Sequence, residues 1–337
     1  MKFLVKEVLK SFSTYSTHKK IGFIVPSVGF YSKVDASTRI RVYDIIETFR
    51  NNREFHLELY RNHRYYDIVI FLKTYNASAQ TLAIKLQQQG TRIVFDININ
   101  IFEKGSNFVT TKQLEEGIAF ANISDAIITN SPHTLSILRQ RFTEKVTYMI
   151  NETLSNNYFR IREINDSDSL TLIWIGYAHK AAALLQIKNV LEELHQNTPL
   201  IVIIVAEKEP DLSLLTVPIE FRAYQHNRIP EHLAQADIFI APRDLTDTYN
   251  LGHSFTKIGV AMAAGIPVVA SPVPSYLDSP AICCSSKEEW IRAITKLYTD
   301  RTFRESLIVR GKKYCSDHYS LESVQSDYLN LFRRISA

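Results

Sequence analysis

The chain has 337 residues, of which 45% are hydrophobic and 22% charged, a composition that excludes an intrinsically disordered protein. This length predicts two domains of about 150 residues each. The 39 basic residues exceed the 35 acidic ones by a formal charge of +4, too small an excess to indicate a nucleic-acid partner, although it is compatible with a phosphate-bearing ligand or an anionic membrane surface.

The N-terminal segment, residues 1–20, mixes apolar and charged side chains. Lys2, Lys6, Glu7 and Lys10 interrupt its apolar stretch, which argues against a secretory signal. The pattern predicts a short amphipathic helix that packs either on the first domain or on a membrane surface. No apolar run in the chain approaches the ~20 residues that a membrane-spanning helix needs.

The three cysteines bear on the compartment. Cys283 and Cys284 are adjacent, a spacing that does not easily close a disulfide without strain, and Cys315 completes no metal-ligand pattern with them. We therefore expect free thiols in a reducing compartment. The predicted location is the cytoplasm, with the inner face of the membrane as a second location.

Residues 21–155 form the first predicted domain. Apolar runs of strand length alternate there with helical segments, a pattern typical of βαβ units and a parallel sheet. One helix is predicted to end at Gly90, and another begins at Ser131-Pro132, with serine as N-cap and proline in the first turn. The predicted strands cover residues 21–25, 68–72, 92–96, 125–129 and 146–150, and the predicted helices cover residues 37–50 and 77–89 and the segment after Ser131.

The polar residues 156–169 are the predicted linker, after which the alternation restarts in a second domain, residues 170–318. Together the halves predict an α/β protein of two facing Rossmann-like domains. Such sheets bind ligands at the carboxyl ends of their strands, so a cleft between them is the expected site. In the second domain, strands are predicted over residues 170–175, 200–205, 219–224, 237–241 and 267–270, and helices over residues 180–195 and 255–264 and from the cap Ser286 onward.

The loop before the helix over residues 255–264 is the strongest candidate for a binding site. It carries Gly252, His253, Ser254 and Thr256, and free N–H groups at a helix start make an anion site. Lys257 adds a positive charge, so a diphosphate is the expected ligand. The alternative is that Gly252 only turns the chain and Ser254 only caps the helix.

The sequence around this loop resembles the donor-binding region of GT-B glycosyltransferases, especially those of glycosyltransferase family 4. Asp237–Pro242 matches the family's aspartate-led strand, and Ala261–Ser271 matches its run of Glu-Ala-Met-Ala-x-Gly followed by Pro-Val-Val-Ala-Ser. Ala36–Arg41, Ser124–Ser131 and Trp174–Gly176 agree with other family segments in order and spacing.

The resemblance implies a GT-B glycosyltransferase that moves a hexose-type sugar from a nucleotide-diphosphate-sugar to a hydroxyl acceptor, with retention. Polysaccharide or glycolipid biosynthesis is the implied setting, with a glycan or glycolipid acceptor and peripheral membrane contact. It implies no cofactor and does not require a metal. Asp244 and Asp247 are expected to form a solvated acidic loop, with metal ligation as the alternative. The last helix, residues 319–337, is expected to pack back toward the first domain, as in similar proteins.

One departure from the family concerns the donor site. The family has two glutamates with seven residues between them that hold hydroxyls of the donor, and Gly252 and Val260 stand at the matching positions here. An active transferase must therefore bind its donor differently. The competing hypotheses are a catalytically silent GT-B protein that binds a glycan or a partner enzyme and, last, a two-lobed small-molecule binding protein.

By the same resemblance, the leaving diphosphate helps to deprotonate the acceptor, and the protein stabilises the charge that grows on it. Lys257 and Lys180 are the candidate catalytic cations, together with the N–H groups of residues 253–255, which include Phe255. Gly176 belongs to the donor-side glycine loop. A surface lysine is the alternative for Lys180, and a local cap is the alternative for His253.

The first domain is expected to hold the acceptor. Asp96 ends a buried strand at the cleft edge and is a candidate base, with Asn98 facing the same way. Arg39 and Arg41 are candidate acceptor ligands, of which one reaches the cleft while the other is solvated. A structural cap is the alternative for Asp96, and a charged surface pair is the alternative for the arginines.

Overall fold

A computed structural model describes residues 18–30, 33–104, 106–159 and 169–336. In these residues the chain forms two parallel sheets of six strands each, with helices on both faces, as the sequence predicts. The predicted amphipathic helix over residues 1–20 falls almost entirely outside the described residues, as does most of the predicted linker.

The first sheet has the strand order β2-β1-β3-β4-β5-β6, so the strand order reverses between β1 and β3. The edge strand β2 was not predicted, because its side chains alternate between buried and exposed over only five residues. The elements are β1 (Lys19–Ile24), α1 (residues 36–48), β2 (Phe55–Leu59), β3 (Ile68–Leu72), α2 (Ala77–Gln88), β4 (Arg92–Asp96), α3 (Thr111–Ile123), β5 (Ala126–Thr129), α4 (Pro132–Arg141) and β6 (Val146–Met149).

Helix α1 is irregular. It starts at Ala36, where the Asp35 side chain accepts a hydrogen bond from the Thr38 N–H at 2.9 Å. Its middle segment, Arg39–Tyr43, has π-helical hydrogen bonding, a wide turn that is frequent near functional sites. The segment places both of its arginines toward the interior of the molecule.

The second sheet has the strand order β12-β11-β10-β7-β8-β9, the order of dinucleotide-binding folds, which reverses between β7 and β10. The two-residue strand β12 was not predicted, and the predicted helix over residues 180–195 divides into a 3-10 helix, Ala178–Ile187, and α5. The elements are β7 (Leu170–Ile175), α5 (Lys188–Asn197), β8 (Leu200–Ala206), β9 (Ile219–Ala223), α6 (Ile229–Leu233), β10 (Ile238–Ala241), α7 (Thr248–Leu251), α8 (Thr256–Ala263), β11 (Val268–Ala270), β12 (Ile282–Cys283), α9 (Lys287–Thr299), α10 (Arg301–Tyr319) and α11 (Leu321–Ser336).

The last helix connects the two domains. After α10 has packed on α8 of the second domain, α11 lies against α1 of the first. Its apolar face, including Tyr328 and Phe332, joins the buried cluster under β1 and β3. Gln325 Nε2 donates to the Thr48 carbonyl at 2.6 Å, and Arg333 pairs with Glu54.

The carboxyl ends of the two sheets meet. Asn100, which follows β4, donates to the carbonyl of Thr248 at 3.2 Å, and the Asn107 N–H donates to Asp247 at 3.2 Å. The loop after β10 therefore touches the loop after β4, and the cleft lies between the ends of the strands. None of the helices that the structure describes is long and apolar enough to cross a membrane.

Candidate functional site

Three cations, Lys180, Lys257 and Arg243, lie near the carboxyl ends of β7 and β10, where the second sheet reverses its strand order. Lys257 lies on α8, and its Nζ atom is 4.4 Å from the centre of the Trp174 ring. A Cβ atom on Gly176 would lie 3.3 Å from that Nζ and 2.6 Å from the Trp174 ring, so the glycine leaves room for the lysine. Arg243 directly follows β10 and Pro242, and it is only 7% exposed.

None of the three cations is in direct contact with a carboxylate of the described residues, although Asp247 lies near enough to Lys180 to raise its pKa slightly against the effect of burial. None of Lys180, Lys257 and Arg243 forms an ion pair with another of the described residues. Burial lowers the pKa of Lys257 well below its usual value, and Arg243 and Lys180 lower it further. Burial, followed by Arg243, lowers the pKa of Lys180 to about 8. Because each cation repels the others, an anion bound among them would stabilise all three.

Lys180 lies at the boundary between the domains. Its Nζ atom is 4.6 Å from the centre of the Tyr249 ring and donates to the Tyr249 hydroxyl at 3.1 Å. It is also 5.5 Å from the ring of Phe108, which belongs to the first domain. These rings attract the ammonium group and hold it at the mouth of the cleft.

Gly252 lies in a close contact between the domains. A Cβ atom there would be 2.4 Å from Asn100 Cβ and 3.0 Å from Thr134 Oγ1. The first domain thus fills the space that a side chain at position 252 would occupy, a contact that the sequence alone does not show.

The N-terminus of α8 follows this loop and has no side-chain cap. The Phe255 ring stacks on Tyr319 with a centroid distance of 4.4 Å, so only the backbone of Phe255 is directed to the helix end. The hydroxyls of Ser254 and Thr256 donate to Glu152 of the first domain, at 2.9 Å for Ser254. Burial lowers the pKa of His253 well below its usual value, which favours the neutral ring, and its Nε2 atom is buried without a partner among the described residues.

Asp96 and Arg41 form a buried ion pair. Arg41 Nη2 lies 2.8 Å from Asp96 Oδ1, Nε donates to both carboxylate oxygens, and Nη1 donates to the carbonyl of Ile150 at 3.0 Å. Burial alone would lower the pKa of Arg41, but the carboxylate of Asp96 outweighs it and raises that pKa. The Asp96 carboxylate thus contacts a guanidinium, and in this arrangement it does not reach a substrate hydroxyl.

The expectation that one of the two arginines is solvated is wrong, because Arg39 is 6% and Arg41 1% exposed. Arg39 donates to the carbonyl of Val34 and, at 3.4 Å, to the hydroxyl of Tyr224 in the second domain. Arg39 is thus buried at the contact with the second domain, and Arg41 is buried against Asp96 and Ile150, contacts that periodicity does not reveal.

Asn98 and Lys73 lie on the first-domain side of the cleft. Asn98 Nδ2 donates to Ser37 Oγ at 2.8 Å and to Glu152 at 3.0 Å. Lys73 follows β3 with a φ of 46°, and its Nζ atom contacts Asp35 at 2.9 Å and Ser37 Oγ at 3.0 Å. A non-glycine residue at positive φ is uncommon and is found most often at functional sites. Lys73 was not predicted, because its only signal in the sequence is its place at the end of a buried strand.

The expectation that Asp244 and Asp247 form a solvated acidic loop is wrong for Asp247. Asp247 is 4% exposed, caps α7 through the Tyr249 N–H at 2.9 Å and accepts from the Asn107 N–H. Asp244 accepts from Thr246 within the loop. Within the described ranges, no group of three or more potential ligands is placed to hold a metal ion.

The family model described as Glycosyl transferases group 1 matches residues 169–300. This range contains all three cations and the loop at Gly252, which confirms the predicted resemblance for the second domain. A comparison with curated protein sequences found no match.

Solved structures match nearly the whole chain. HepE of Anabaena, solved in complex with UDP and glucose, has a TM-score of 0.70 at 14% identity, covering 94% of this chain and 100% of its own. A glycosyltransferase from Rickettsia africae has a TM-score of 0.64 at 12% identity, with coverage of 95% and 99%. TarM of S. aureus, solved with UDP and α-GlcNAc-glycerol, has a TM-score of 0.59 at 14% identity, with coverage of 79% and 55%. These matches confirm the GT-B fold, so the chain combines that fold with a glycosyl transferases group 1 match in its second domain.

Proposed function

We propose that the chain is a glycosyltransferase that moves a sugar from a nucleotide-diphosphate-sugar to a hydroxyl acceptor in the cleft. The observation that carries this proposal is the cluster of Lys180, Lys257 and Arg243, which is buried, unpaired and placed where the second sheet reverses its strand order. A diphosphate supplies the missing negative charge. The complexes of HepE with UDP and glucose and of TarM with UDP support the same class of donor.

In the proposed mechanism, the cations and the N–H groups at the start of α8 bind the diphosphate of the donor. They stabilise the charge that grows on it as the bond to the sugar breaks. Gly176 and the backbone of residues 252–256 form the walls of this donor site. The leaving diphosphate helps to take the proton of the acceptor hydroxyl, which gives transfer of a hexose with retention. No step needs Asp96 as a base, so its proposed role is to hold Arg41 and α1 in place.

The first domain is proposed to bind the acceptor through Arg39 and Asn98, which lie on its side of the cleft. Lys73 is an additional cation on this side. The proposed setting is polysaccharide or glycolipid synthesis in the cytoplasm, with peripheral membrane contact through residues 1–20, as predicted from their amphipathic sequence.

The second candidate function is a silent GT-B protein that binds a glycan or a partner enzyme. Its support is Gly252, because the contact with Asn100 leaves no space for the glutamate that related enzymes use to hold the donor. The two candidates can be separated by nucleotide binding, which the transferase requires. The unpaired cations favour nucleotide binding and therefore the transferase.

A thermal-shift screen of UDP, GDP, CMP and dTDP with their sugar conjugates tests the donor site. A ligand at ~100 times its dissociation constant adds about 2.7 kcal/mol of stability, which is readily visible. We expect one nucleotide to stabilise the wild type and its effect to fade in Lys257→Ala. Lys296→Ala is the matched control, because Lys296 also lies over an aromatic ring, 4.2 Å from the centre of Phe303, but on α9. No shift with any nucleotide would count against the donor site and favour the silent candidate.

A further inference from the structure

Glu152, in the segment after β6, joins the two domains through its carboxylate. It is 4% exposed. Oε1 accepts from Asn98 Nδ2 at 3.0 Å and from Asn130 Nδ2 at 2.8 Å, both in the first domain. Oε2 accepts from the hydroxyls of Ser254 and Thr256, both beside the start of α8 in the second domain.

These four hydrogen bonds use the full capacity of the group. An ionised carboxylate offers about four lone-pair positions on its two oxygens and can only accept. Hydrogen bonds to a charged group contribute more to stability than those between neutral groups. Because one oxygen serves each domain, a shift of the donor loop displaces the same carboxylate that holds the two asparagines.

The carboxylate also determines how the asparagines are oriented. Since Glu152 only accepts, Asn98 and Asn130 must both turn their NH₂ groups toward it. Their Oδ1 atoms then face away from Glu152, and each is buried without a partner among the described residues. Two acceptor oxygens are thus left for a ligand that donates hydrogen bonds, such as a sugar hydroxyl.

On the other side, the carboxylate places a negative charge beside the start of α8, through the hydroxyls of Ser254 and Thr256. Phe255, at the N-cap of α8, contributes no side-chain hydrogen bond, and a negative charge near a helix N-terminus is stabilising. Glu152 reaches this helix end only while the domains are in contact. The buried Arg41, whose pKa Glu152 helps to raise, supplies a positive charge on the first-domain side.

We propose that Glu152 is a positioning residue that couples the acceptor side of the cleft to the donor loop. Its carboxylate positions the start of α8 to bind the donor, and it orients the side-chain carbonyls of Asn98 and Asn130 to bind the acceptor. It does both only when the two domains are in contact. The assignment of the two sides rests on the proposed function, whereas the coupling between the domains does not.

Hydrogen–deuterium exchange tests the coupling in the free protein. In the double variant Ser254→Ala/Thr256→Val, both changes are in the second domain. We expect amides near Asn98 and Asn130, in the first domain, to exchange about 10-fold faster, because two hydrogen bonds to the shared carboxylate are lost. Glu152→Ala should accelerate exchange at the same amides and also at residues 253–257.

Two further variants make the test specific. Glu152→Gln should restore most of the protection, because its amide can donate to the Ser254 and Thr256 hydroxyls, which also accept, while its carbonyl still accepts from the asparagines. Glu58→Ala is the control, a carboxylate that binds Arg64 and Tyr66 within the first domain, and it should leave the cleft amides unchanged. If the double variant speeds exchange only around residues 253–257, Glu152 is a local cap and the coupling is overturned.

Activity separates positioning from structure. With UDP-glucose as the probe, we expect Glu152→Ala to lower kcat for donor hydrolysis about 10-fold or more while the Kd for UDP changes less. Equal changes in both would contradict a positioning role. If wild type binds no nucleotide, the proposed function fails and the exchange result alone decides the coupling. If Glu152→Ala does not fold, the double variant, which keeps the carboxylate, still gives the answer.

Discussion

The two domains differ in how they balance charge. In the first domain, Arg41 pairs with Asp96, Lys73 pairs with Asp35, and Glu152 accepts four hydrogen bonds, whereas the buried Arg39 donates to the Val34 carbonyl and the Tyr224 hydroxyl. In the second domain Lys180, Lys257 and Arg243 lie together without a carboxylate in contact. A buried charge that forms an ion pair has a structural role, whereas buried cations without an ion pair indicate that a bound anion supplies the counter-charge. The contrast supports the proposal that an anionic donor binds in the second domain and an acceptor on the side of the first.

The largest expected effect comes from breaking the best-paired site. Arg41→Ala leaves the carboxylate of Asp96 buried without a partner, which we expect to lower the free energy of unfolding of the first domain by about 3–5 kcal/mol. Both tryptophans, Trp174 and Trp290, lie in the second domain. Tryptophan fluorescence therefore reports the unfolding of the second domain, whereas circular dichroism reports the helices of both domains. In a urea titration of Arg41→Ala, circular dichroism should show an early transition that tryptophan fluorescence does not follow.

Arg64→Ala is the control for this experiment. It removes a pair with Glu58 in which the arginine side chain is 40% exposed, so a loss of about 1 kcal/mol or less is expected. A similarly small loss for Arg41→Ala would show that the buried pair is not what holds α1 in place.

An intermediate effect is expected at the contact between the domains. Gly252→Ala places a Cβ atom 2.4 Å from Asn100 Cβ, so the domains must shift at a cost of about 1–3 kcal/mol. Thermal unfolding should show the loss, and Gly252→Ala/Asn100→Gly should recover most of it. Gly29→Ala is the control, since its nearest atom would be 3.5 Å away, an ordinary contact. An unchanged melting temperature for Gly252→Ala would mean that the domains do not close in this way in solution.

The smallest expected effect concerns pH and the unpaired cations. The pKa of Lys180 is lowered from 10.5 to about 8, so its charge is complete below pH 7 and is lost as the pH rises through about 8. Binding of an anionic nucleotide should weaken over this window, by no more than about 10-fold per pH unit. Lys180→Arg stays charged and should remove this part of the dependence. Calorimetric titration of UDP between pH 7 and 9 measures it, and identical curves for the two proteins would exclude Lys180 from the site.

The sequence predicted the second domain better than the first, for a physical reason. The donor loop, the glycine after β7 and the helix over residues 255–264 are local patterns of turns, caps and strand ends. Lys257 and Lys180 could be predicted as candidate catalytic cations because Lys257 lies at the start of that helix and Lys180 lies just after that glycine. Arg243 was missed although it follows the predicted strand directly, because a single arginine after Pro242 carries no pattern of its own.

The errors in the first domain come from contacts that are distant in sequence. Arg41 and Asp96 are 55 residues apart, and Glu152 reaches Ser254 across 102 residues. Periodicity reports which face of an element is buried, but not which buried charge meets which. The same limit applies to Gly252. The sequence shows only that a glycine stands at this position, whereas the structure shows that Asn100 of the first domain leaves no room for a side chain there.

Release of nucleoside diphosphate from UDP-, GDP- and dTDP-glucose by the wild type and by Arg243→Ala tests the proposed donor site, because an active transferase commonly hydrolyses its donor slowly without an acceptor. We expect measurable release from one donor and a loss of about 100-fold in the variant, because a buried cation that stabilises the leaving group is removed. Release from none of the three, or equal release by both proteins, would contradict a donor site at the unpaired cations.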